Sequence, residues 1–119
     1  MPSRDEHLVK AEGNEQFAAS LTHENQTKID WALVVMFYSA VHYIEAYLAV
    51  QFGIHVRSHN TRDNSVARDS NLRTIYSSYQ HLKYYGYNAR YEVFGFSARD
   101  IQDATKDLAD VKAKVVPHL

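Results

Sequence analysis

The stretch from Trp31 to Leu48, WALVVMFYSAVHYIEAYL, sets the fold class. Carried on to Phe52 it makes 22 residues whose plainly polar side chains are only Ser39, His42, Glu45 and Gln51, a length that reaches across a bilayer. His42 and Glu45 stand three apart on one helical face in its middle, and the chain has no second apolar segment to shelter them from lipid. The stretch therefore reads as the buried central helix of a soluble bundle. It is apolar on opposite faces, with Trp31, Val34, Val35, Tyr38, Leu48 and Phe52 on one and Leu33, Met36, Phe37, Ala40, Ile44 and Tyr47 on the other. A helix apolar all round must be covered all round, by three neighbouring helices or by neighbours plus a second subunit, and a homodimer is expected.

Working outward, Asp30 offers a cap and Gly53 a terminus, so this helix is predicted over 30–53. Before it, the polar connector Thr22–Lys28 follows a helix over Arg4–Leu21 with Leu8, Ala11, Phe17, Ala18 and Leu21 on one side. After it, GIHVRSHNTRDNS (53–65) lacks periodicity and reads as a long irregular loop. A helix is predicted over Val66–Tyr84 on the stripe Leu72, Ile75, Tyr76, Tyr79 and Leu82, followed by a second irregular stretch, YGYNARYEVFGF (85–96). The last helix opens at Ser97-Ala98-Arg99-Asp100, a capping-box pattern, and carries Ile101, Ala104, Leu108, Val111 and Val115 until Pro117 stops it. The expected fold is all-α, an antiparallel up-and-down bundle of four to five helices in one domain over residues 1–119.

Composition narrows the chemistry. With no cysteine among 119 residues there is no disulfide, thiolate zinc site or cysteine nucleophile. Thirteen Lys and Arg against 14 Asp and Glu exclude a generally basic nucleic-acid binder, so any anion site must be local. The charged start, Met1-Pro2-Ser3-Arg4-Asp5-Glu6-His7, lacks the apolar stretch of a signal peptide, and a cytoplasmic location away from membranes is expected.

Between Gly53 and Arg99 seven basic residues face three acidic ones, a net of +4 in a chain whose total is −1. Six of the seven are arginines, whose guanidinium fork suits phosphate. Arg57, Arg62 and Arg90 are expected to converge on an anion, with Arg62 foremost; the alternatives are a solvated surface of paired charges and, for Arg62, a structural role bonded to Glu45, Asp63 or loop carbonyls. On the central helix Tyr38, His42 and Glu45, at spacings of four and three, point one way from an apolar rod. Either they pin a loop by hydrogen bonds, or they line a pocket in which His42 moves protons. His55 and His59, with His42 or Glu45 completing a set, resemble a metal site only in spacing; Arg57 and Arg62 repel a cation, and neither a metal nor a cofactor is expected. GxxxxGK[ST], GxGxxG and GxSxG are all absent. Tyr84, Tyr85, Tyr87, Tyr91, Phe94 and Phe96 lie near Arg90 and Arg99 in sequence, a mixture used both for stacking on single-stranded RNA and for interfaces.

Three pieces in order, the Phe37-Tyr38 to His42 helix, Ser58-His59 to Arg62, and Tyr79-Leu82 leading to Ala89-Arg90-Tyr91, resemble a branch of the HEPN superfamily over about residues 30–115. The resemblance implies a small, usually dimeric helical bundle from a superfamily that includes metal-independent ribonucleases of toxin and defence systems, many acting beside a nucleotidyltransferase-like partner. That superfamily's catalytic Arg, four to six residues, then His is absent; the nearest approach, Arg73 to His81, has seven residues between. The expected function is therefore a non-catalytic RNA-, nucleotide- or partner-binding module. A divergent ribonuclease with His59 and Arg62 as catalytic residues and a structural oligomerisation module remain as alternatives. Tyr38, His42, Glu45, Arg57, Arg90 and Tyr91 are the expected ligand-binding residues.

Overall fold

In the computed structural model, which describes residues 2–93 and 95–119, the central helix begins earlier than Asp30. Asn25 takes the cap, its side chain accepting the Lys28 N–H at 2.9 Å, and Asp30 instead accepts from Gln26 Nε2 inside the first turn. Asn caps as well as Asp does, and nothing in Gln26–Ile29 breaks a helix. The helix ends as expected at Gly53, whose φ of 65° turns the chain. Helix α2, Gln26–Phe52, thus has 27 residues. At 1.5 Å per residue it is about 40 Å long, the length of the whole molecule's 41 Å long axis.

Helix α1 (Arg4–Ser20) packs along α2. Its buried side chains are His7, Ala11 and Ala18, while Phe17 is 51% exposed. Ala11 and Ala18 of the expected face are buried and Leu8 and Leu21 pack partly buried against the core, so only Phe17 departs from it. Small Ala11 and Ala18 let α1 approach α2 closely, and Ser39 Oγ donates to the Ala11 carbonyl at 2.7 Å.

The stretch expected to be a loop up to Ser65 contains α3, His59–Arg68. Ser58 caps it by accepting the Thr61 N–H at 3.1 Å. The helix buries only Arg62 and Val66, four apart, which is too few for a periodic signal. The helix expected over Val66–Tyr84 is interrupted: Asp69 Oδ2 accepts the N–H groups of Asn71 and Leu72, both at 3.0 Å, and the Tyr47 hydroxyl at 2.9 Å, fixing a turn before the 3₁₀ segment Leu72–Ile75. Helix α4 then runs Tyr76–Tyr91, through much of the second stretch expected to be irregular. It needs glycine at 86: a Cβ there would lie 2.7 Å from Phe37 Cβ on α2. Helix α5 (Ala98–Val115) buries the expected stripe, Ile101, Ala104, Leu108, Val111 and Val115, and Asp100 Oδ2 accepts the Ser97 N–H at 2.8 Å.

The result is an all-α bundle, with five α-helices and no strand among the described residues. Helices α1, α4 and α5 all pack on α2, so three neighbours within the chain cover the apolar rod. Although α2 is long and apolar enough to cross a membrane, 72% of its most apolar 18-residue window is buried inside the protein. Trp31 and Phe52, near its two ends, remain 51% and 57% exposed. Glu15 ties three helices together by accepting from Tyr43 on α2 at 2.6 Å and from Lys112 on α5 at 3.2 Å.

Candidate functional site

Close packing of Gly86 against Phe37 brings α4 onto α2 beside the start of α3, and a cleft of about 200 Å³ lies where the three helices meet. Helix α2 contributes Phe37 and Tyr38, α3 contributes His59, and α4 contributes Lys83, Gly86, Tyr87, Arg90 and Tyr91. Arg90 Nη1 donates to the Tyr38 hydroxyl at 2.6 Å, and its guanidinium carbon sits 5.2 Å from the centre of the Tyr91 ring. Tyr87 and Tyr91, one turn apart, have ring centres 5.1 Å apart and are both more than half exposed. Lys83 is paired with Asp63 of α3. The cleft therefore brings together Arg90, a Lys83 already paired with Asp63, and two open aromatic faces.

The His59 ring packs 5.6 Å from Phe37, and its Nδ1 lies 3.1 Å from Arg62 Nη1. A guanidinium only donates, so Nδ1 accepts, and the neutral ring carries its proton on Nε2. Partial desolvation, then the charges of Arg62 and Lys83, hold the His59 pKa below the ordinary histidine value. At neutral pH His59 is thus an uncharged ring whose remaining nitrogen is a donor.

Arg62 does not take the expected foremost place. It is 5% exposed, with Nε donating to Glu45 Oε1 at 2.9 Å and Nη2 to the Val56 carbonyl at 2.8 Å, besides the His59 contact. Glu45 Oε2 accepts the Val56 N–H at 3.1 Å. The pair clamps the crossover after α2 to the bundle and leaves Arg62 facing inward. Arg57 is exposed and does not line the cleft. Of the three arginines expected to converge, only Arg90 lines it; Lys83, which its spacing did not single out, takes a second cationic place.

Tyr38, His42 and Glu45 share a side of α2 but meet three different elements, because steps of four and three residues turn by about 40° and 60° in opposite senses at 3.6 residues per turn. Tyr38 reaches Arg90 on α4, His42 Nδ1 meets His7 Nδ1 of α1 at 3.0 Å, and Glu45 holds α3 and the crossover. His42 bonds neither Glu45 nor Tyr38 among the described contacts. Burial, then the neighbouring His7, pushes its pKa down to about 4. His59 likewise stays apart from His55, which lies by His7 and Glu45 instead. His7 gave no sequence signal, being a polar residue beside the expected apolar face of α1, yet it is buried while Phe17 of that face is exposed. Of the aromatic group, Tyr87 and Tyr91 reach the cleft, Tyr84 and Tyr85 ring with Phe96 elsewhere, and Phe94 lies outside the described residues.

Compared with protein-family models, with curated proteins and with solved structures, the chain matches none.

Proposed function

We propose that this chain is a HEPN-like up-and-down bundle acting in the cytoplasm as a homodimeric, non-catalytic module that binds single-stranded RNA. One base and an adjoining phosphate would occupy the cleft between α2, α3 and α4. The observation that carries the reading is the convergence of Lys83, Arg90, Tyr87 and Tyr91 at one opening. Exposed rings supply faces for bases, and cations supply partners for phosphate. At about 200 Å³ the cleft is smaller than the roughly 300–1,000 Å³ of pockets that bury a whole small ligand. That favours part of a polymer over an enclosed nucleotide. The resemblance in sequence adds a toxin–antitoxin or defence setting and a nucleotidyltransferase-like partner to the proposal.

His59 favours binding over cleavage. A general base must accept the proton of the attacking 2′-hydroxyl, whereas His59 Nδ1 is occupied by Arg62 and its other nitrogen donates. That donor suits a phosphate oxygen. Arg62, the other catalytic candidate, is buried against Glu45.

Fluorescence anisotropy with a labelled, unstructured RNA oligonucleotide tests this. With Arg90 on one phosphate and Lys83 exchanging Asp63 for another, log K should fall against log salt with a slope of about −1.4, and Arg90→Ala should reduce it by about 0.7. Tyr91→Ala should cost about 1–3 kcal/mol of binding. Intact RNA after incubation in excess chelator is expected; cutting that disappears in His59→Ala would establish the ribonuclease instead. Absence of binding at low salt would leave an oligomerisation module.

A further inference from the structure

On the far side of Arg62 from the cleft, three imidazoles and one carboxylate meet where α1, α2 and the crossover after α2 come together. His7 Nε2 lies 3.2 Å from His55 Nδ1, and His55 Nδ1 lies 3.3 Å from Glu45 Oε2. One ligand atom each from His7, Glu45 and His55 fall within 4.8 Å of one another. His7 and Glu45 are 2% and 1% exposed, and the His55 side chain is 21% exposed.

Hydrogen bonding alone does not satisfy this arrangement. A ring nitrogen carries one proton or one lone pair in the ring plane, never both. If His55 Nδ1 holds a proton for Glu45, the His7 nitrogen must share that same proton. If it holds a lone pair for a His7 proton, that lone pair faces a carboxylate. Each assignment leaves one of the two close contacts poorly served, at a place where unpaired polar groups are costly.

A metal ion resolves both contacts at once. In a tetrahedral shell with bonds of about 2.0–2.1 Å, neighbouring ligand atoms stand about 3.3 Å apart, which is the spacing of His55 Nδ1 from each neighbour. The second layer fits as well. Metal-bound histidines characteristically direct their other ring nitrogen to a fixed partner, and His7 Nδ1 meets His42 Nδ1 at 3.0 Å. Glu45 is similarly fixed, with Oε1 on Arg62 and Oε2 on the Val56 N–H as well as toward His55. The guanidinium approaches Oε1, leaving Oε2 as the ligand atom, and Glu45 offsets its charge. Arg57, expected to repel a cation, is exposed, so water screens its charge.

We propose that His7, His55 and Glu45 bind one divalent transition-metal ion of the zinc class, with His42 as the positioning residue for His7. Two nitrogens and one oxygen suit zinc or cobalt and not magnesium or calcium, which prefer all-oxygen shells. The partial exposure of His55 leaves the fourth position to water. The site shares no lining residue with the RNA cleft, so it stands or falls independently of that reading.

The test is titration of the untagged, chelator-stripped chain with zinc by calorimetry and with cobalt by visible absorption. One ion per chain, the d–d absorption of a low-symmetry nitrogen and oxygen site, and no uptake of magnesium are expected. His55→Gln, on the partly exposed crossover, should weaken binding at least tenfold and abolish the zinc-induced rise in melting temperature. His42→Phe should weaken it about 10–100-fold while keeping the stoichiometry. His23→Gln, a surface control, should bind as wild type. Circular dichroism of metal-free His55→Gln separates loss of ligand from loss of fold. No saturable uptake by the wild type, or undiminished uptake by folded His55→Gln, would overturn the site.

Discussion

In the metal-free chain, removing the Arg62 guanidinium leaves the Glu45 carboxylate, 1% exposed, with the Val56 N–H and the neighbouring imidazole but no permanent positive charge against it. Breaking a buried ion pair from one side typically costs about 3–5 kcal/mol, because the remaining charge is stranded away from water. Arg62→Ala should therefore lower the unfolding free energy by that amount, read as a lower denaturant midpoint at an unchanged m value. Its RNA affinity, measured where the variant is still folded, should change less than that of Arg90→Ala. A variant as stable as wild type but unable to bind RNA would return Arg62 to the ligand. The sequence offered both roles for Arg62, ligand and structural partner of Glu45, without deciding between them. Arginine in a polar stretch, three residues after His59, reads as surface charge, and only the short helix α3, with Arg62 and Val66 as its two inward positions, turns it into the core.

Elements with many inward positions announced themselves, and those with few did not. Helix α5 repeats apolar residues over four turns and was legible residue by residue, whereas α3 has no stripe to read. Helix α4 continued past Tyr85 because Gly86, which reads as a helix breaker in sequence, is the residue that lets α4 sit on Phe37. That contact also shapes the cleft, since Phe37 and Gly86 both line it. An alanine at 86 gains about 1 kcal/mol of helix propensity, but overpacking typically costs about 1–3 kcal/mol. A Cβ at 2.7 Å from Phe37 Cβ belongs to the upper part of that range. Gly86→Ala should accordingly lower the melting temperature and weaken RNA binding together; a more stable variant would mean that α4 is free to move away from α2.

At the scale of the molecule, the all-helical class followed from one apolar rod, and its covering by α1, α4 and α5 could be anticipated only as one of two arrangements. Three neighbours cover most of α2 within a single chain, so the case for a homodimer now rests on what stays outside: Phe17, Trp31 and Phe52, each more than half exposed. Sedimentation equilibrium should give twice the mass of one chain, and Trp31→Arg should shift it toward one; a wild-type monomer across micromolar concentrations would remove dimerisation. The assembled site was less legible than the fold, because which charges face inward depends on helix rotation. His7 and Lys83 entered their clusters that way, while Arg57 was left outside. The central claim, that RNA occupies the cleft between α2, α3 and α4, is tested most directly by mapping backbone amide shifts in a ¹⁵N–¹H NMR titration with the RNA oligonucleotide. Shifts centred on Tyr38, His59, Lys83, Gly86, Tyr87, Arg90 and Tyr91 that are lost in Arg90→Ala are the predicted result; shifts confined to other surfaces, or none at low salt, would contradict it.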